Sequence, residues 1–210
     1  MNGAHTNAVA QSERRSAYGP VASVALPGGW WPSDDGLEIY DQQTWLFGND
    51  VEGVLVAEVV REQQVEAYVG HYAFGLQESD DADLPVPFPD DFDHSVFLGT
   101  HSGRIDITSG GHTHTATLGV EVWDGPPPKQ NPSDWDEQAE ADFESSSGKV
   151  AVWSMDTGRS GDIIILADSG GQWRVRVSCG GRAMAEALSR GEGTAHGVEH
   201  YLVQFWPAGS

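Results

Sequence analysis

Gly148-Lys149-Val150-Ala151-Val152-Trp153, Asp162-Ile163-Ile164-Ile165-Leu166, Gln172-Trp173-Arg174-Val175-Arg176-Val177 and Glu199-His200-Tyr201-Leu202-Val203-Gln204-Phe205-Trp206-Pro207 follow one another in the last part of the chain. All four runs are rich in β-branched and aromatic residues, and clusters of Gly, Ser and Asp separate them. Short antiparallel strands joined by loops have this composition. Trp173, Val175 and Val177 alternate with Arg174, Arg176 and Ser178, which predicts one face on a core and the other in water. The fold class that follows is all-β, an antiparallel two-sheet β-sandwich with one or two short helices.

Working outward, the same pattern predicts strands over 37–47, 54–60, 65–73, 95–98, 103–108, 115–123, 149–154, 162–166, 172–178 and 199–206. Residues 51–69 carry enough Glu, Gln and Ala for a helix, but β-branched density and the lack of a 3.6-residue apolar stripe favour two strands. A short helix is expected at 134–141, where Ser133 can cap and acidic residues fill the first turn. The alternative there is a strand containing Trp135, Ala139 and Phe143, paired with 149–153. A second helix is expected at Arg182–Arg190, a run of good helix formers that ends at Gly191.

Residues 1–35 are rich in Ala, Ser, Gly and Pro without periodicity and read as a flexible N-terminal arm, with the β-sandwich domain spanning 36–207. Ser102-Gly103-Arg104-Ile105-Asp106-Ile107 and Ser147-Gly148-Lys149-Val150-Ala151-Val152 share a Ser-Gly-basic-apolar-x-apolar pattern. Two related β-halves joined near 124–133 would give it, and so would chance, since the match is short. Asp124-Gly125-Pro126-Pro127-Pro128 makes that connection stiff.

The chain has 210 residues, with 11 Lys and Arg against 32 Asp and Glu, a formal charge of −21. Such a surface repels nucleic acid and anionic membrane, both of which need phosphate neutralised by Lys and Arg. It suits a cationic partner, or simple solubility. No run approaches the ~18–20 apolar residues of a membrane span. Arg14 and Arg15 lie near the start, but no apolar segment of a targeting signal follows them, so a cytoplasmic protein is expected. The single Cys179 cannot form an internal disulfide and reads as a small buried or edge residue.

Three constellations bear on chemistry. His112 and His114, with His94 and His101 nearby in sequence, place two imidazoles at strand spacing on one face, but no Cys or Glu sits at ligand spacing, and no metal site is expected. Asp80, Asp81, Asp83, Asp90, Asp91 and Asp93 supply oxygen ligands, yet the Asp-x-Asp-x-Asp-Gly loop of a calcium site is missing. They read as a surface loop. Ser, His and Asp are present without a Gly-x-Ser-x-Gly elbow, and the Gly-Gly pairs at 110–111, 170–171 and 180–181 carry no phosphate-binding fingerprint. No catalytic residue and no cofactor is expected.

Trp135-x-Glu137, Ser147-Gly148-x-Val150-x-Val152, Trp173-Arg174-Val175-Arg176-Val177 and Glu199 to Pro207 together resemble a widespread actinobacterial family of small β-sandwich proteins. More distantly, the order of elements from Ile39-Tyr40-Asp41-Gln42-Gln43-Thr44-Trp45-Leu46-Phe47 to the final Tyr-Leu-Val strand is similar to the competence protein J family, small cytosolic inhibitors of a DNA-uptake nuclease. The resemblance to the actinobacterial family covers roughly 36–207, and its motifs are structural, not catalytic. The resemblance implies a non-enzymatic binding role, with acidic loops presenting a DNA-like surface to a basic nuclease.

The functional expectation is therefore an acidic interaction protein, an inhibitor or immunity-type partner of a basic nuclease or toxin. Its candidate partner-binding residues are Asp80, Asp81, Asp83, Asp90, Asp91 and Asp93 in one acidic segment and Asp134, Asp136, Glu137 and Glu140 in another. The alternative is a small-molecule or carbohydrate-binding β-sandwich, or an enzyme built on one, in which some of the eight Trp residues stack on a ligand.

Overall fold

The computed structural model of the chain describes residues 56–80, 84–191 and 193–209. The arm read over 1–35, the strand read over 37–47, and Asp81 and Asp83 lie outside them. The described residues form β1 (Val59–Val69), β2 (Ala73–Glu78), β3 (Leu98–His101), β4 (Arg104–Thr108), β5 (His114–Trp123), β6 (Glu137–Ser145), β7 (Lys149–Ser154), β8 (Gly158–Ile165), β9 (Gly171–Gly180), α1 (Arg182–Arg190) and β10 (His200–Pro207).

Two five-stranded sheets result, in the orders β1-β5-β10-β9-β6 and β3-β4-β2-β7-β8. All pairings are antiparallel except β10 with β5, which run parallel. The alternation in the sequence sets the faces: Trp173, Val175 and Val177 point into the core with Cys179, opposite Phe74, Leu76, Ile105 and Ile107 of the second sheet. On β5, Ala116, Leu118, Val120 and Val122 take the buried positions. Both sheets draw strands from either side of the 124–133 connection.

Three readings of the sequence are corrected. The helix expected at 134–141 is a strand, preceded by a single 3-10 turn at Pro132–Asp134. That strand, β6, pairs with β9 (Ala139 opposite Val177, Phe143 opposite Trp173) and not with 149–153. Pairing with a long central strand decides conformation over local propensity. Residues 54 and 55 of the strand expected at 54–60 lie outside the described residues; the rest of that reading and the strand expected at 65–73 meet in one continuous strand, β1 (Val59–Val69), paired along β5 from Trp123 to His114. The chain then turns at 70–72 and continues as β2, whose six residues are all buried. The strand expected at 95–98 begins at Leu98.

Segments outside the sheets cover both outer faces. Residues 84–94 lie on the second sheet: Phe88 is buried against Gly75, its N–H donates to Gln77 Oε1 at 2.7 Å, and Arg104 Nη1 donates to the Val86 carbonyl at 3.0 Å. Buried Arg104 also grips Asp106 through two 2.6 Å hydrogen bonds. The connection leading to Gln130 crosses the first sheet. Arg176 points outward as expected but is buried beneath that connection, donating to the Pro128 carbonyl at 3.0 Å with its guanidinium 5.5 Å from the Trp206 ring. No helix among the described residues is long and apolar enough to cross a membrane.

Candidate functional site

The strands are directed so that β1, β4 and β9 end, and β2, β5 and β10 begin, at one end of the sandwich. This end, capped by α1, gathers the 70–72 turn, the 109–113 loop and the segment before β10. Inward-facing positions of β5 begin with His114, a polar residue at the head of an apolar row, and such a buried group requires a partner. Its partner is Glu199, 3.0 Å away at the start of β10.

Glu199 accepts three more hydrogen bonds: from Ser109 Oγ at 2.5 Å, from the Gly110 N–H at 2.8 Å and from Tyr201 Oη at 2.9 Å. Burial by itself raises its pKa, but the bonds from His114, Ser109, Gly110 and Tyr201 overcome burial and hold the carboxyl below its usual range. Burial and then Cys179 and Glu199 raise the Tyr201 phenol well above its usual value. The Cys179 thiol is pushed up to about 12 by burial and then by Glu199. In this arrangement Ser109 Oγ and His114 Nε2 both bond the same carboxylate, the buried His114 Nδ1 has no partner among the described residues, and the thiol stays protonated at neutral pH. The network therefore fixes the 109–111 loop to β10. It was missed in the sequence because its members lie as many as 90 residues apart. The detectable signal was His114 in the apolar row.

Above this network lies a cleft of about 630 Å³, lined by Tyr72, His94, Thr108, Ser109, Gly110, Arg182, Glu186 and Arg190. Arg182 is held by the Thr108 carbonyl at 2.6 Å and lies 5.4 Å from the Phe97 ring, while Arg190 pairs with Glu186 one helical turn earlier. The rim is the two-residue turn between β1 and β2. His71 (φ 54°) and Tyr72 (φ 65°) both occupy the left-handed region there. Reciprocal Gly70–Ala73 backbone bonds of 3.0 Å close the turn. Two-residue turns of this kind favour Asn-Gly, and a bulky aromatic in the left-handed region costs about 1–2 kcal/mol.

The expected partner-binding residues divide. Asp90, Asp91 and Asp93 project as exposed residues from the loop docked by Phe88, which leads to His94 at the cleft. Asp93 accepts from the Ser95 Oγ at 2.6 Å and its N–H at 2.8 Å, and these bonds lower its pKa. Asp134, Asp136 and Glu137 are exposed where β6 begins, with the Asp136 N–H on the Cys179 carbonyl at 2.8 Å, so they too lie at the α1 end. None of these six forms an ion pair with a basic side chain among the described residues. Glu140 differs. It faces outward from mid-strand and takes bonds from Arg176 at 2.7 Å and Arg174 at 3.3 Å; desolvation opposes but does not overcome the lowering of its pKa by these arginines. Asp80 lies at the opposite end, beside the buried Glu78.

His112 and His114 do not share a ligand position, because His112 is exposed in the loop and His114 is buried on Glu199. Among the described residues no three His, Cys, Asp or Glu side chains converge as a metal ion would require. Of the described tryptophans, Trp173 and Trp206 are buried, and Trp123, Trp135 and Trp153 are half-buried.

The described chain is thus a two-sheet β-sandwich with a polar network at its helix-capped end. No family model and no curated protein matches the chain. Among solved structures it resembles ComJ, inhibitor of the DNA degrading activity of NucA, from Bacillus subtilis, with 11% identity, 73% of this chain and 99% of that chain covered, and a TM-score of 0.48. It also resembles the product of crocagin biosynthetic gene J, with 12% identity, 73% and 99% coverage, and a TM-score of 0.42. The likeness is distant, and no residue role follows from it.

Proposed function

We propose that this protein is a non-enzymatic, cytoplasmic interaction protein whose α1 end engages a cationic protein, as an inhibitor or immunity-type partner of a basic nuclease or toxin. The observation that carries the reading is the division among its carboxylates. Glu140 and Asp142 are answered by Arg174 and Arg176, and Asp106 by Arg104, whereas Asp90, Asp91, Asp93, Asp134, Asp136 and Glu137 remain exposed without a basic partner among the described residues.

Carboxylates held on a docked loop and a strand end keep their spacing, so a complementary surface pays little to order them. A protein that handles nucleic acid carries a Lys- and Arg-lined groove, the surface such an array fits. The exposed Trp platform of a carbohydrate-binding sandwich has no counterpart among the described tryptophans, none of which is exposed.

Titration of the protein into a purified basic nuclease, with DNA cleavage as the readout, tests the proposal. Inhibition that weakens as salt rises is the expected result. Undiminished cleavage together with no detectable association would contradict it.

A further inference from the structure

We propose that the cleft beside Ser109 and Gly110 binds a small organic anion, with Arg182 taking its carboxylate or phosphate group; this is independent of the partner reading above. Arg182 carries an unanswered charge. Arg104 and Arg176 are buried and Arg174 is half-buried, and each pairs with an Asp or Glu carboxylate at 2.6–3.3 Å. Arg182 is half-buried too, in a chain with a formal charge of −21. Yet among the described residues no carboxylate lies within ion-pairing distance of it. A guanidinium partly drawn out of water without a counter-charge is unfavourable, and an anion placed on it relieves that.

The side chain is held in place for such a group. Its Nη1 donates to the Thr108 carbonyl at 2.6 Å, its Nη2 donates to Thr108 Oγ1 at 3.2 Å, and its guanidinium lies 5.4 Å from the centre of the Phe97 ring. The stem rests on Gly110, where a Cβ would stand 3.0 Å from Arg182 Cγ and 2.4 Å from the Arg182 carbonyl oxygen. Gly110 is itself fixed by its N–H bond to Glu199. Only two donors of the guanidinium are engaged, both on Thr108, so the planar fork keeps others for an oxyanion. Glu199 does not supply the missing charge, because it is buried among four donors of its own.

The cleft, about 630 Å³, also receives His94, Tyr72 and Arg190. Its one carboxylate, Glu186, already pairs with Arg190, so two guanidiniums face a single acid. A volume of this size takes a metabolite-sized molecule, and Tyr72, 41% exposed on its strained turn, offers an aromatic surface at the rim.

Isothermal titration calorimetry at low ionic strength and neutral pH, with phenyl phosphate and benzoate as separate probes, tests this. At least one probe binds the wild-type protein saturably, and the tighter of the two identifies the oxyanion. Arg182→Gln loses about tenfold in affinity, whereas Lys149→Gln, which removes the same charge at the opposite end of the sandwich, binds as wild type. Glu186→Gln frees Arg190 for the ligand, and affinity rises about threefold, a gain that a purely structural cleft would not show. Failure of both probes to bind wild-type protein, wild-type affinity in a folded Arg182→Gln, or no gain in Glu186→Gln would each overturn the site. None of these outcomes bears on the nuclease titration, which tests the partner reading separately.

Discussion

Glu199 and His114 meet at 3.0 Å with neither side chain accessible to solvent. Replacing Glu199 by Gln removes the charge and puts an amide donor among four donors. The cost is about 3 kcal/mol, seen as a fall in Tm of roughly 6–12 °C. The pH dependence has a definite sign. The folded pKa of Glu199 is depressed, so its contribution is complete above the unfolded value of about 4.3 and is lost as pH falls through the lower folded value. Wild-type protein and Glu199→Gln should therefore converge in stability in acid, as measured by urea unfolding at a series of pH values.

Arg176 and Arg174 alternate with the core residues of β9, yet they should respond differently to removal. Arg176 is buried and holds Glu140, Gln204 and the Pro128 carbonyl together, so Arg176→Ala should cost about 2–4 kcal/mol. Arg174 is 37% exposed and its pairs are on the surface, so Arg174→Ala should cost at most about 1 kcal/mol. Val175→Asp, by contrast, buries an unpaired charge and should unfold the domain, which circular dichroism would detect.

The glycines of the repeated Ser-Gly-basic pattern are conformational. Gly103 (φ 76°) and Gly148 (φ 74°) both sit in the left-handed region at the entrances to β4 and β7, which flank β2. A Cβ at Gly148 would stand 2.4 Å from the Ser169 carbonyl oxygen, so Gly148→Ala should cost about 3 kcal/mol or more. Gly158 (φ 70°) has nothing within 4 Å, and Gly158→Ala should cost only roughly 1–2 kcal/mol. Denaturant midpoints of the two variants separate clash from strain.

Cys179 should be inert in the folded protein. Its thiol is buried and pushed up to about 12, so little thiolate exists at pH 8. Alkylation should be negligible in the native state and complete in denaturant; rapid native alkylation would contradict the burial described here.

Period and punctuation made the sandwich legible in the sequence. Trp173, Val175 and Val177 revealed a face, and the good helix formers up to Gly191 revealed α1, which spans the residues expected. Elements decided by distant contacts were not legible. Ser133 followed by acidic residues imitates a helix start, but β9 recruits the segment as β6. No strand was expected over 74–78, which contains Gly75 and ends in Glu78, yet Phe88 fills the space over Gly75, and Ser145 Oγ and the Ser146 N–H bond the Glu78 carboxylate at 2.6 and 2.7 Å. At the candidate site, the acidic segments were visible as charge. Which carboxylates are answered by arginine depends on register between β6 and β9, and local sequence does not encode it.

The central claim is that the unpaired carboxylates at the α1 end steer a cationic protein. Stopped-flow association with a purified basic nuclease, measured across ionic strength, tests it most directly. The comparison is between wild-type protein and a variant carrying Asp90→Asn, Asp91→Asn, Asp93→Asn, Asp134→Asn, Asp136→Asn and Glu137→Gln. The account predicts a wild-type rate that falls steeply with salt, and a variant about tenfold slower at low salt with a flattened slope. Equal rates and equal slopes would contradict it.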